Sequence, residues 1–373
     1  MPKVVKKFGG TSLQTRERIS LAVEEVTEDI EKGNDVISVV SAMGRDGDPY
    51  ATDTLIDLLE KVSPDVDPLK QDLIMSCGEV ISASLFSHYI DSAGYSSVPM
   101  TGPQAGIFTD GQFGDARIVG VDPVRIKEYL GEGKTVVLAG FQGRTIKGEV
   151  TTLGRGGSDT TALKIGGSLD AEVVEIYTDV PGVAVVDPSF VDDPPFFSNI
   201  SRSALLKLAK NGASVIHPRA VSAAIDYGVN FSIKCSWQQG GETTVSDEPS
   251  TRQTPVGIAV KEDYILAESS CFKVKNTSKF GDKSREIRLG EGEFSLLSKK
   301  EAADQEEADT RPASLVTAVS TVRNNPSKLI DRINESLDRE KCLGSIIGSK
   351  KAQFVVEPGK ERKIVRNIYN LFY

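Results

Sequence analysis

The first 235 residues of this 373-residue chain alternate short apolar segments with longer amphipathic ones. Residues 36–42 (VISVVSA) and 135–141 (TVVLAGF) have the length and β-branched content of buried strands. The first helix has apolar residues at steps of four, three and four, which mark one helix face: Ile19, Val23, Val26 and Ile30. Strands that alternate with helices form a sheet with helices on its faces. We therefore predict an α/β layered domain with a mainly parallel sheet, whose other strands are residues 4–8, 96–100, 149–153, 171–178 and 229–235.

The chain changes character at residues 238–255, a polar and glycine-containing run that reads QQGGETTVSDEPSTRQTP. Because runs of this kind join domains, we predict a boundary between a first domain, residues 1–240, and a second region, residues 256–373. Within that region, residues 314–373 have the order β-α-β-β-α. This order predicts a small α+β sandwich with helices on one face.

Three further features belong to the second region. Residues 256–268 (VGIAVKEDYILAE) are strand-like, and the acidic run at residues 301–309 is typical of a solvated linker. Asn325 and Pro326 are predicted to open a helix whose apolar face extends to Leu337.

Composition narrows the possible functions. The net charge of −9 disfavours a nucleic-acid partner, because such binding depends on clustered positive charge. The chain has neither the run of about 20 apolar residues that a membrane helix needs nor an apolar leader. Its four cysteines lack a C-x-x-C spacing and it has two histidines, which indicates neither a zinc site nor a disulfide framework. We therefore expect a cytoplasmic protein without a membrane or nucleic-acid partner and without protein metal ligands.

Two glycine-rich turns, each between a predicted strand and a predicted helix, contain candidate residues for an anion-binding site. They are KFGGTS (residues 7–12) and GRGGSD (residues 154–159). Glycines at such a turn let backbone N–H groups approach an anion, and the helix N-terminus adds its dipole. Each turn alone is equally typical of a tight turn with a capping Ser or Asp. Lys7, Arg155 and Asp159 favour an anion site, because the two cations can bind phosphate or carboxylate oxygens.

A third segment, GEGKT at residues 131–135, has the appearance of a phosphate-binding loop. Glu128 stands where the first glycine of that motif belongs, and a strand follows instead of a helix. We interpret the segment as a turn that enters a strand.

Seven motifs, taken in order, resemble those of aspartate kinases: KFGGTS, VVSAMG (39–44), GEVISA (78–83), GFQG (140–143), TTLGRGGSDTTA (151–162), EIYTDVPGV (175–183) and HPRAV (217–221). The resemblance implies the three-layer α/β sandwich of the amino acid kinases, followed by ACT regulatory modules, which are ferredoxin-like α+β folds. It implies phosphorylation of the β-carboxylate of L-aspartate by ATP with Mg²⁺. The product, 4-phospho-L-aspartate, begins lysine, methionine and threonine synthesis. It also implies a homodimer formed through the ACT region and a possible amino-acid effector.

The resemblance also assigns roles to individual residues. Lys7 would stabilise the transferring phosphoryl group, and Asp159 would organise the lysines. Glu79 and Arg155 would hold the ammonium and a carboxylate of aspartate. The remaining assignments are Ser158 and Thr52 on the substrate side, Gly9, Gly10 and Ser41 at the nucleotide phosphates, and Thr178 and Asp179 at the nucleoside. His217 is interpreted as structural.

The chain departs from many aspartate kinases on the nucleotide side. Ala184 replaces a tyrosine, Ser189 an arginine and Ser214 a lysine. These changes keep a second hypothesis open, a catalytically weak relative that serves as a regulatory subunit or an amino-acid-binding module. A third is a kinase for another small acid, since a fold hosts many functions.

The regulatory region departs as well. The usual Pro-Gly helix start is replaced by VRNNPSKL, residues 322–329, and residues 256–313 lack a recognisable proline-initiated helix. We therefore predict an eroded first ACT module and weak feedback by lysine or threonine.

Overall fold

The computed structural model describes residues 1–238, 240–247, 255–268, 285–289, 292–298, 310–322, 326–336 and 342–373. The contacts divide the chain into two compact units. The first unit comprises Met1–Val183, Phe196–Ser203 and Val215–Glu248, and the second comprises Ala184–Pro195, Ala204–Ser214 and Pro249–Tyr373. Two short segments that precede residue 240 therefore belong to the second unit. The functional boundary between residues 240 and 256 stays a prediction.

Up to residue 247 the described elements follow the predicted alternation of strands and helices. The strands are β1 Lys3–Phe8, β2 Asp35–Val40, β3 Ser97–Met100, β4 Ile107–Thr109, β5 Ile118–Val121, β6 Thr135–Ala139, β7 Gln142–Arg144, β8 Val150–Thr152, β9 Val173–Tyr177, β10 Asn199–Ile200, β11 Phe231–Lys234 and β12 Thr243–Val245. The helices are α1 Arg16–Glu31, α2 Thr52–Glu60, α3 Pro68–Ser92, α4 Val124–Gly131, α5 Gly157–Ser168, α6 Arg202–Lys210 and α7 Pro218–Tyr227, with a 3-10 helix at Gly10–Leu13.

The main sheet of the first unit has the order β10-β12-β11-β9-β1-β2-β6-β3. Its described pairs are parallel except β11 with β12, which confirms the predicted mainly parallel sheet. The central strand β1 pairs with β2 on one side and with β9 on the other. Their carboxyl ends therefore meet at one edge, where ligands bind in open α/β sheets.

A smaller sheet of the first unit, with the order β5-β4-β7-β8, was not predicted. Of its strands, β8 lies in the predicted strand at residues 149–153, and the other three contain three or four residues each, which is too short for a recognisable period. GEGKT was interpreted correctly, because Gly131 ends α4 and Thr135 begins β6.

Local signals explain where the long helices begin. The Thr15 side chain accepts a hydrogen bond from the backbone N–H of Arg18 (3.3 Å) and caps α1. Asp67 caps α3, and Pro68 occupies the first turn of α3. Among the described helices, α3 alone has the length and composition of a membrane span, with 44% of its most apolar window buried. That is weak evidence for a membrane, because a core helix passes the same test, and the cytoplasmic location stays a prediction.

The second unit contains a sheet with the order β14-β15-β13-β16-β18-β17, antiparallel at each described pair. Its elements are β13 Val256–Glu268, β14 Arg285–Leu289, β15 Gly292–Ser298, β16 Thr310–Ser320, α8 Pro326–Ser336, β17 Gly344–Ile347, β18 Lys351–Val356 and α9 Glu361–Tyr369. The strand at residues 256–268 and the predicted order β-α-β-β-α after residue 314 are confirmed. Asn325, Leu337 and the acidic run at residues 301–309 lie outside the described residues. So does much of the predicted first module, and its erosion stays a prediction.

Candidate active site

A cavity of about 790 Å³ lies in the first unit beside the two glycine-rich turns. Eight of the residues that line it are predicted site residues: Lys7, Gly10, Ser41, Thr52, Glu79, Arg155, Ser158 and Asp159. Gly9, Thr178 and Asp179 are not among its lining residues. The fold therefore brings the predicted substrate residues together with Lys7, Gly10 and Ser41, and leaves Gly9 and the predicted nucleoside residues outside the lining of this cavity.

The cavity contains an ion pair between Lys7 Nζ and Asp159 Oδ1, 2.7 Å apart. Lys7 lies near the carboxyl end of β1, and Asp159 lies in the first turn of α5. Both side chains are largely buried, with 9% and 14% of their surface exposed. The pair fixes an ammonium group close to the positive end of the α5 dipole, which is a favourable place for an anion.

The neighbouring Lys6 has a different environment. Successive side chains of a strand point to opposite faces of the sheet. Lys6 Nζ pairs with Asp29 (2.8 Å) and Glu175 (2.6 Å) and does not line the cavity. Of the two adjacent lysines, Lys7 is therefore the one available to a ligand.

Glycine is required at two points of the cavity wall. A Cβ on Gly10 would lie 2.6 Å from the Ala42 carbonyl oxygen. Gly156 has φ = 70°, and a Cβ there would lie 2.3 Å from the Cβ of His217. Gly10 permits a close approach of two backbone segments, and Gly156 permits both a close approach and a left-handed conformation.

Glu79 is a buried carboxyl group at the cavity, with 3% of its surface exposed. Its Oε1 accepts a hydrogen bond from the backbone N–H of Ala42 (3.0 Å), while its buried Oε2 has no hydrogen-bond partner among the described residues. Burial raises the pKa of Glu79 from 4.5 to about 8, against the lowering effect of the Ala42 N–H. A cation placed at Oε2 would compensate the cost of burying the ionised form.

Arg155 and Ser158 line the cavity near the start of α5. Arg155 is exposed and has no hydrogen bond or ion pair to any residue that the structure describes, so its guanidinium is available to a carboxylate. Ser158 is buried against Gly140, where an added Cβ would lie 2.8 Å from the Ser158 Oγ. Gly140 thus leaves the space that Ser158 occupies.

The predicted nucleoside residues follow β9 directly. Asp179 accepts a hydrogen bond from Arg45 Nη2 at 2.5 Å, and the Thr178 Oγ1 donates to Asp179 at 3.2 Å. Gly9 donates its N–H to the Tyr177 carbonyl oxygen at 3.1 Å. These residues lie at the carboxyl ends of β1 and β9, the same edge of the main sheet as the cavity.

The three residues that depart from many aspartate kinases, Ala184, Ser189 and Ser214, lie in the second unit. The Ser189 carbonyl oxygen accepts a hydrogen bond from Arg362 (2.5 Å), and Ser214 is exposed. The effect of Ala184, Ser189 and Ser214 on nucleotide binding stays a prediction.

Sequence reasoning missed Asp72, a carboxylate of α3 that is 1% exposed. Its oxygens accept hydrogen bonds from the N–H groups of Gly114 (2.9 Å) and Thr152 (2.7 Å) and from the Thr152 hydroxyl (2.8 Å). Gly114 lines the cavity, and Thr152 ends β8 just before the turn that carries Arg155. Asp72 therefore holds two parts of the cavity wall in place. It was missed because its sequence context resembles that of a carboxylate on the surface of a helix.

Two more residues of the cavity wall have unusual features. Phe141 has φ = 66°, a conformation that is uncommon outside glycine and is typical of functional sites. His217 caps α7, where its Nδ1 accepts a hydrogen bond from the Arg219 N–H (3.3 Å). Burial lowers the pKa of His217, and Arg219 lowers it further. The cap agrees with a structural role, although His217 also lines the cavity.

Replacing Asp72 by asparagine is expected to lower the free energy of unfolding by about 1–3 kcal/mol. The amide has one acceptor oxygen in place of two, so at least one of the three donors, the two N–H groups and the Thr152 hydroxyl, loses its acceptor. Urea denaturation measures the loss. Asp57→Asn, an exposed change on α2, is the matched control and should stay within about 0.5 kcal/mol of the parent. Equal unfolding midpoints for both variants would contradict the assigned role.

The sequence profile of the amino acid kinase family matches residues 2–235. This chain therefore belongs to the amino acid kinase family. Within that family the chain is similar to curated aspartokinases. The aspartokinase of Geobacillus stearothermophilus is 43% identical over 261 residues, which cover 69% of this chain and 63% of that protein. Aspartokinase 1 of Bacillus subtilis (strain 168) is 41% identical over 280 residues, which cover 75% of this chain and 68% of that protein.

The resemblance drawn from the seven motifs is thus confirmed. The chain spans 63% of the length of the Geobacillus stearothermophilus relative and the same share of the aspartokinase from Bacillus sp. (strain MGA3).

Solved structures agree with the fold. Aspartate kinase from Synechocystis is 25% identical, with a TM-score of 0.59 over 99% of this chain and 69% of that chain. E. coli aspartokinase III in complex with aspartate and ADP is 19% identical, with a TM-score of 0.75 over 98% of this chain and 99% of that chain. This second likeness supports the fold alone. The predicted amino acid kinase fold with a C-terminal sheet region is confirmed.

Proposed function

We propose that this chain transfers the γ-phosphoryl group of ATP to the β-carboxylate of L-aspartate and so forms 4-phospho-L-aspartate. The observation that carries the proposal is one cavity that combines a lysine ammonium, an available guanidinium and a buried carboxyl group with one oxygen that no described residue contacts by a hydrogen bond: Lys7, Arg155 and Glu79. These groups complement a phosphate, a carboxylate and an ammonium, which are the groups of the two substrates. The relatives at 41–43% identity carry the name aspartokinase, which supports the same reaction.

In the proposed reaction, Arg155 binds a carboxylate of aspartate and Glu79 binds its ammonium group, which leaves the β-carboxylate directed at the phosphoryl group. A carboxylate oxygen attacks the γ-phosphorus, and the bond from that phosphorus to the bridging oxygen of ADP breaks. No proton is transferred, because the nucleophile is already ionised. Lys7, held by Asp159, neutralises charge on the phosphoryl oxygens. Catalysis then rests on positioning and charge neutralisation.

The nucleotide side of the proposal uses the residues at the carboxyl edge of β1, β2 and β9. Gly9, Gly10 and Ser41 would contact the phosphates, and Thr178 and Asp179 would contact the nucleoside. The described residues hold no group of three or more His, Cys, Asp or Glu able to bind a metal ion. We therefore infer that Mg²⁺ enters with the nucleotide phosphates, whose charge it would neutralise, as Mg²⁺ commonly does.

The test is trapping of the acyl phosphate with hydroxylamine in the presence of Mg-ATP. We expect hydroxamate from L-aspartate and none from L-glutamate, because one extra methylene moves the carboxylate away from the phosphoryl group. Hydroxamate from glutamate alone would favour a kinase for another acid. A folded protein that binds aspartate but forms no product would overturn the proposal in favour of a regulatory subunit or an amino-acid-binding module.

For the second unit we propose an ACT-like regulatory region that forms a homodimer, with weak feedback by amino acids. The β-α-β-β-α order after residue 314 supports the region. E. coli aspartokinase III has been solved with lysine and aspartate, and an effector of this chain is proposed by analogy. Light scattering is expected to give a dimer mass, which a clean monomer at micromolar concentration would contradict.

Titration calorimetry with lysine and threonine is expected to show no micromolar binding, and micromolar binding would refute the weak feedback.

A further inference from the structure

A second cavity, of about 380 Å³, lies in the first unit and shares no lining residue with the candidate active site. Its wall includes Arg125, Arg144, Gln104 and Phe108. We propose that this cavity binds a small dianion through oxyanion groups, either a phosphate or a dicarboxylate. The proposal does not depend on the proposed function.

The charge of the cavity wall favours an anionic ligand. The cavity wall includes two arginines, Arg125 and Arg144, and one carboxylate, that of Asp122. The Arg125 guanidinium also donates a hydrogen bond to the Tyr129 hydroxyl (3.3 Å). The Asp122 Oδ1 already accepts a hydrogen bond from the Val124 N–H (3.3 Å). Neither arginine forms an ion pair with a described residue, so the cavity wall keeps a net positive charge. Arginine binds carboxylate and phosphate oxygens in a bidentate manner, which suits it to such a ligand.

The environment of the Arg144 side chain also favours an anionic ligand. Its guanidinium carbon lies 4.8 Å from the centroid of the Phe108 ring, an arrangement that holds the planar group in place. Its Nε is buried and has no hydrogen-bond partner among the residues that the structure describes. A buried N–H group without an acceptor is unfavourable. An oxyanion on the Arg144 guanidinium would compensate its charge, which has no ion pair with a described residue.

The remaining donors point to the same ligand class. Val124 and Arg125 lie in the first turn of α4, where the helix dipole favours an anion. The Val124 N–H already donates to the Asp122 Oδ1, which leaves the Arg125 N–H as a first-turn donor without a helical acceptor. Pro123, at the N-cap, provides no side-chain cap. Gln104 uses its carbonyl oxygen to accept from the Thr101 N–H (2.9 Å), which leaves its amide N–H groups for a ligand. The cavity thus offers two guanidinium groups, an amide and a helix N-terminus.

The experiment is titration calorimetry with sodium phosphate and, separately, with succinate. The titrations use an Arg155→Ala background, which weakens anion binding in the candidate active site. We expect one equivalent of at least one probe to bind with a Kd below about 10 mM. Arg144→Gln and Arg125→Gln are each expected to weaken that binding by about tenfold or more. Arg117→Gln removes an exposed arginine that does not line this cavity, and it should leave the binding unchanged.

The two probes identify the ligand class, since phosphate binding alone indicates a phosphorylated ligand and succinate binding alone indicates a dicarboxylate. Arg144 lies three positions after Phe141, so the variants are judged by binding and thermal melting instead of by activity. Arg125 is exposed, and its variant keeps the test valid if Arg144→Gln fails to fold. The proposal is overturned if neither probe binds, or if Arg125→Gln and a folded Arg144→Gln bind as the background does.

Discussion

Replacing Lys7 by alanine is expected to lower kcat by about a thousandfold or more, because removing a cation from a transferring phosphoryl group has effects of this size. Asp159→Ala is expected to have a comparable effect, since Lys7 Nζ would lose the carboxylate 2.7 Å away that positions it. Initial rates of hydroxamate formation measure both variants. Lys3→Ala, on the same strand and outside the cavity, is the matched control and should keep the parental rate.

Stability must be separated from catalysis in this experiment. Removing one partner of a largely buried ion pair leaves an uncompensated charge and destabilises the fold. The double variant Lys7→Ala/Asp159→Ala removes both charges, so we expect it to unfold at a higher urea concentration than either single variant while remaining as inactive. Near-parental rates in folded single variants would show that the site is assigned wrongly.

The Michaelis constant for aspartate is expected to depend on pH through Glu79. The pKa of this carboxyl is raised to about 8 by burial, and only its ionised form attracts the substrate ammonium. Below pH 8 the proton must leave Glu79 before aspartate binds. KM should therefore rise by about tenfold for each unit that the pH falls, and at pH 6 it should be about a hundredfold above its value at pH 8. Glu79→Gln should raise KM and abolish this dependence. A flat KM from pH 6 to 8 in the parent would contradict the role of Glu79.

The same pKa shift predicts how stability changes with pH in the absence of substrate. Glu79 has a pKa of 4.5 in the unfolded chain and about 8 in the folded protein. Between these values the folded state binds more protons, so stability falls as pH rises, by up to about 1.4 kcal/mol per unit. Urea denaturation of the parent and of Glu79→Gln at several pH values isolates this contribution, because the other titrating groups are common to both.

Most of the fold could be predicted because long elements have a readable period. The strand β13 matches its predicted bounds, residues 256–268, since thirteen residues give a clear pattern. Strands β4 and β7, with three residues each, were missed because so few residues have no period. Their sheet is held by pairing with distant strands, which a local pattern does not report.

The residues of the candidate site were predicted only in part. Motifs around Lys7, Arg155 and Asp159 pointed to the cavity because glycine-rich turns have a local signature. Asp72 has no such signature, since its role depends on the N–H groups of Gly114 and Thr152, which are distant in the chain. Thr178, predicted as the last residue of a strand, and Asp179 follow β9, and both lie outside the cavity lining.

The sequence by itself determined the alternation of strands and helices, the two glycine-rich turns and the types of charged groups at them. These are local properties, set by apolar periodicity and by backbone conformations that glycine permits. Only the tertiary structure decided that Lys6 pairs with Asp29 and Glu175 away from the cavity, and that Asp159 pairs with Lys7. It also decided that Glu79 is buried with one oxygen that has no hydrogen bond from a described residue. Ion pairing, burial and pKa depend on which distant residues surround a group, and packing of the whole domain sets those neighbours.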